Sequence, residues 1–76
     1  MGKLPVLSGK VLCSVLKSIG YEIDHQSGSH IILRCTYHPF RRLTIPNHKE
    51  IAKGTLRGII REAGLTLDEF NNMIRK

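Results

Sequence analysis

Leu12, Val15, Leu16 and Ile19 recur at the three-and-four spacing that lines up one stripe of a helix. Ser8 precedes them as an N-cap whose hydroxyl can accept a bond from an orphaned backbone N–H, with Leu7 and Leu12 placed as a hydrophobic staple. Gly20 follows where a left-handed residue ends a helix, so a helix is expected over about residues 9–19. The pattern then changes period. From Tyr21 to Gln26 it alternates, with Tyr21, Ile23 and His25 on one side and Glu22, Asp24 and Gln26 on the other. That is a half-buried strand, with His25 facing the core as a structural residue.

Ser27-Gly28-Ser29 turns the chain into His30-Ile31-Ile32-Leu33-Arg34-Cys35-Thr36, a second strand. Ile31, Leu33 and Cys35 share one face of it, and His30, Ile32, Arg34 and Thr36 the other. Tyr37-His38-Pro39-Phe40 makes the next turn, since proline is barred from the interior of a ladder. Arg41 to Ile45 forms a third strand, with Leu43 and Ile45 inward and Arg42 and Thr44 outward. A one-residue slip would bury two arginines to cover one isoleucine, which fixes the facing.

After the irregular Pro46-Asn47-His48-Lys49-Glu50, a helix is expected with Thr55 as N-cap and Leu56, Ile59, Ile60 and Ala63 as its stripe, ended by Gly64. Thr66-Leu67-Asp68-Glu69 spells a capping box, with Leu65 and Phe70 as a second staple. It opens a last helix from Leu67 to about Arg75, burying Leu67, Phe70 and Ile74. The expected fold is α+β, in the order α-β-β-β-α-α, with a three-stranded antiparallel sheet and the helices on one face. Residues 1–76 read as one domain.

Twelve Lys and Arg against six acidic residues give a net charge of +6. Such a balance favours a polyanionic partner, nucleic acid first, although an acidic protein would answer the same field. The two cysteines show no framework spacing, so a cytoplasmic chain without a disulfide scaffold is expected. Neither a leader at Met1 nor a membrane span can be read, because no apolar run is long enough.

The open face of the sheet therefore collects His30, Arg34, Arg42 and Thr44. A histidine at the mouth of a strand, after a glycine turn, is a rigidly placed proton-transfer group with an open approach. Arg34 and Arg42 can hold phosphates, or serve as a solvated face. Gly28 and Ser29 allow a phosphate to come close, and Lys10 at the first helix N-terminus is a further phosphate contact or an ordinary exposed lysine. His48, by itself, reads as a loop histidine hydrogen-bonded to fix the chain before Gly54. Cys35, His38 and His48 lack a fourth ligand, and Cys35 points inward, so no metal and no cofactor is expected.

Ser8-Gly9-Lys10, Gly28-Ser29-His30, Thr44-Ile45-Pro46-Asn47-His48, Lys53-Gly54-Thr55-Leu56, Ala63-Gly64-Leu65 and Glu69-Phe70 follow one another in register from Leu4 to Phe70. Together they resemble the HicA family of toxins from toxin–antitoxin pairs. The resemblance implies a double-stranded-RNA-binding-domain-like fold and an mRNA-cleaving endoribonuclease of a type II system. It also implies a HicB-type antitoxin that occludes the active histidine, His30 here, in a hetero-oligomeric complex. Because His48 matches the family's Pro-x-His segment, the resemblance also makes it the candidate second proton-transfer group. RNA supplies its own nucleophile, the 2′-hydroxyl, so imidazole acid/base chemistry suits the reaction. The alternative is a non-catalytic RNA-binding module of the same fold.

Overall fold

The computed structural model describes residues 4–38 and 40–74. Met1 and Gly2, where a leader was sought, Pro39 of the second turn and Arg75 of the last helix lie outside them. The elements run α1 (Gly9–Lys17), β1 (Tyr21–Ser27), β2 (His30–Cys35), β3 (Arg42–Pro46), α2 (Lys53–Glu62) and α3 (Leu67–Ile74). The strands form one antiparallel sheet in the order β1-β2-β3. This is the expected α+β order, consistent with a double-stranded-RNA-binding-domain-like architecture.

Both expected caps of α1 and α3 are present. Val11 N donates to Ser8 Oγ at 3.2 Å, and the staple residues Leu7 and Leu12 are buried. Thr66 N donates to Glu69 Oε1 at 2.8 Å while Glu69 N donates to Thr66 Oγ1 at 3.1 Å, closing the box. The start of α2 differs from expectation. Its N-cap is Ala52, three residues before Thr55, with no side-chain hydrogen bond. Tertiary contact sets this entry instead: Ile51 is buried and its N–H donates to Leu7 O at 2.9 Å.

Ile31, Leu33, Cys35, Leu43 and Ile45 all lie buried with Leu12, Leu16, Leu56 and Phe70, as the alternation requires. Each such aliphatic side chain removed from water contributes about 1.5–3 kcal/mol before the entropy of ordering it. Both cysteines are free and buried. Leu67 and Ile74 are only partly buried at the margin of this core.

β1 corrects the sequence reading. Ile23 pairs with Leu33, yet His25 pairs with Ile32, so Asp24 is an extra residue that bulges the strand. Before the bulge, Tyr21 and Ile23 share the helix-facing side with Cys35 and Leu33. After it, His25 and Ser27 stand opposite Ile32 and His30 on the open side. His25 is exposed, not in the core. The physical reason lies in what β1 lacks. No apolar residue follows Ile23, and Ile23 is itself 49% exposed, so the helices cover only the Tyr21 end and nothing draws His25 inward.

Candidate nucleic-acid interface

Three rows of residues make the open face. Ser27, His30 and Pro46 form one row, His25, Ile32 and Thr44 the next, and Glu22, Arg34 and Arg42 the third. His30 is exposed and opens β2 directly after a two-residue loop. Gly28 takes φ +58° at the first central position, and Ser29 does not share that sign. A tight hairpin needs this there, and glycine supplies it without strain. A side chain at Gly28 would meet nothing within 4 Å, so the turn beside the exposed His30 is itself open.

The first helix is tied to the same end of the sheet. Gly9 N donates to His48 O at 2.9 Å, and a Cβ at Gly9 would collide with Pro46 O. Asn47 N donates to Ser29 O at 2.7 Å, joining the end of β3 to the hairpin loop. This geometry gathers Ser8, Lys10, Asn47, His48 and Lys49 around an open concavity of about 260 Å³. Lys10 and His48 thus share one hollow at the His30 end of the sheet.

Arg34 and Arg42 share the open face but not the immediate surroundings of His30. Arg34 stands four residues along β2 from it, about 13 Å at strand rise. Both guanidinium groups meet carboxylates: Arg34 Nη2 is 3.7 Å from Glu22 Oε1, and its Nε is 3.9 Å from Asp24 Oδ1. Arg42 Nε is 3.6 Å from Asp24 Oδ2. At 3.6–3.9 Å these contacts are longer than hydrogen bonds and are screened by solvent, weak enough to yield to a phosphate. Arg34 Nε is shielded from solvent and has no hydrogen-bond partner.

Asp24 is the hub of this group, and sequence reasoning missed it together with His25. His25 Nδ1 lies 3.0 Å from Asp24 Oδ2. That hydrogen bond, with the Arg42 and Arg34 guanidinium groups behind it, holds the Asp24 carboxyl below the usual aspartate range. The available signal was the loss of apolar residues after Ile23, which frees that half of the strand to face either way. His38 stacks edge-on against Phe40, ring centroids 5.9 Å apart, and Cys35 is buried. Among the described residues no group of three His, Cys, Asp or Glu side chains could hold a metal ion, and no helix is long and apolar enough to cross a membrane.

An α-β-β-β-α-α domain with helices on one side and a histidine-bearing sheet face on the other narrows the protein to a small class. The sequence model of the HicA toxin of bacterial toxin–antitoxin systems matches residues 9–65, from α1 to the end of α2 and the turn beyond. The chain belongs to the HicA toxin family. No curated protein matches it significantly.

Proposed function

We propose that this toxin is an endoribonuclease that cleaves mRNA on the open face of its sheet, with His30 moving a proton at the scissile phosphate. The observation that carries the reading is an exposed imidazole at the mouth of a hairpin, on the side of the sheet the helices leave bare. Imidazole titrates near neutrality and serves as base or acid, while the 2′-hydroxyl of the RNA is the nucleophile. Gly28 and Ser29 admit the phosphate, and Lys10 draws the strand towards the His30 end. Arg34 and Arg42, about 13 Å away, grip flanking phosphates rather than the scissile one. His48 lines the Lys10 hollow, from which it would reach the phosphate as a contact or as a second proton-transfer group.

In this reading the protein works in the cytoplasm and is silenced by a HicB-type antitoxin. That partner covers His30 in a hetero-oligomeric complex, and an acidic surface on it would meet the basic residues around the hairpin. The test is cleavage of a single-stranded RNA in EDTA by the wild type and by His30→Ala. Cleavage by the wild type with a loss of about 100-fold or more in the variant is expected. Equal rates in the two proteins contradict the role of His30. Salt-dependent binding without cleavage in either makes the domain a non-catalytic RNA-binding module.

A further inference from the structure

Cleavage through the 2′-hydroxyl involves two proton transfers on opposite sides of one phosphorus. A proton leaves the 2′-oxygen and another arrives at the departing 5′-oxygen. A single imidazole at His30 accounts for one of them. The register supplies the other group. His25 is directly opposite Ile32, and His30 precedes Ile32 by two, so the two histidines are diagonal neighbours on the open face. Diagonal positions in an antiparallel pair lie about 7–8 Å apart, within the span of two side chains reaching for one phosphate.

We propose that His25, oriented by Asp24, is the second proton-transfer group of this site and takes the 2′-hydroxyl proton, while His30 protonates the 5′-oxygen. The inference rests on the reading that this face cleaves RNA. Nδ1–H of His25 donates to the Asp24 carboxylate 3.0 Å away, which leaves the Nε2 lone pair to accept a proton. The carboxylate then offsets the charge of the imidazolium that forms. Arg42 Nε lies 3.6 Å from the same Oδ2 that His25 meets and Arg34 Nε 3.9 Å from Oδ1, so both add positive charge beside the carboxylate. His25 itself stays open to substrate, its side chain 59% exposed.

In the reaction the 2′-oxygen bonds to phosphorus as its proton passes to His25 Nε2. The bond from phosphorus to the 5′-oxygen breaks, the electron pair stays on that oxygen, and His30 delivers the proton it needs. The products are a 2′,3′-cyclic phosphate and a 5′-hydroxyl. His25 ends protonated and His30 neutral, and exchange with water resets both. The bulge at Asp24 is what makes this arrangement, since an unbroken alternation would leave His25 on the helix side.

The experiment compares wild type, His25→Ala, His30→Ala and Asp24→Asn on a DNA oligomer carrying one ribonucleotide. A second oligomer has a bridging 5′-sulfur at that link, whose thiolate departs without a proton. On the oxygen substrate both alanine variants should lose about 100-fold or more in kcat. They should keep the wild-type affinity for an all-deoxy oligomer. On the sulfur substrate His30→Ala should recover most of the loss and His25→Ala should not.

Asp24→Asn should lose less and shift the pH–rate profile. That profile reads His25 and His30 in the field of Asp24, Glu22, Arg34 and Arg42. Wild-type cleavage with His30→Ala inactive and His25→Ala unaffected overturns this inference while leaving the nuclease reading intact. Recovery of His25→Ala rather than His30→Ala on the sulfur substrate overturns the assignment of base and acid. A wild type inert towards RNA overturns both readings.

Discussion

On the inner side of the sheet Ile31, Leu33, Cys35, Leu43 and Ile45 lie under the helices, none more than 6% exposed. On the outer side of the same three strands stand His25, His30, Arg42, Glu22 and Asp24, all exposed, with Arg34 half-buried among them. One face is held by burial, where each side chain is constrained by its neighbours' volume. The other is held by its partner's packing and is free to carry charge in any arrangement that pleating allows. What holds the fold and what lies open to a partner therefore sit on opposite sides of one backbone.

Substitutions on the two faces should come apart accordingly. Leu33→Ala, at a fully buried position, should cost about 3 kcal/mol of stability, read as a lowered urea midpoint. A cost under about 1 kcal/mol there would mean the inner face is not what holds the fold. His30→Ala, across the sheet, should shift stability by no more than about 0.5 kcal/mol and yet reduce RNA cleavage about 100-fold. A destabilisation comparable to that of Leu33→Ala would join the two faces again.

Arg34→Gln and Arg42→Gln sharpen the outer face by charge alone. Each should weaken single-stranded RNA binding several-fold and lower the salt slope of log affinity by about 0.7. An unchanged slope would leave both guanidinium groups to Glu22 and Asp24. The smallest effect belongs to Asp24→Asn and stability. The Asp24 carboxyl is held below its ordinary value of 3.8 by the His25 hydrogen bond first and the arginines second, so its contribution is complete above that value. It is lost as pH falls through the lower folded value. The acid limb of the stability curve below about pH 4 should therefore flatten in the asparagine variant, as followed by acid titration of the circular dichroism signal.

How far these faces were legible in the sequence follows the same division. Alternation in β2 and β3 names every inner residue correctly, because burying arginine is so costly that only one facing is possible. His30 is equally legible, since a glycine loop marks where β2 begins. The facing of His25 is not. A bulge adds one residue without a compositional mark, and past Ile23 the strand carries no apolar group whose burial would expose a slip. The entry to α2 fails for a related reason: Ile51 and its bond to Leu7 O come from distant chain, and they prevail over the local cap offered by Thr55.

The account depends on RNA lying across the outer face, and the two rings can report that directly. We would titrate uniformly ¹⁵N-labelled protein with a single-stranded oligomer whose riboses are all 2′-deoxy, so that it binds without being cut. The ring nitrogens of His25 and His30 and the amides of Ile32, Arg34 and Thr44 should shift together along one saturating curve, with the α2 and α3 amides still. Shifts confined to α2 and α3, with both imidazoles unmoved at saturation, would contradict it.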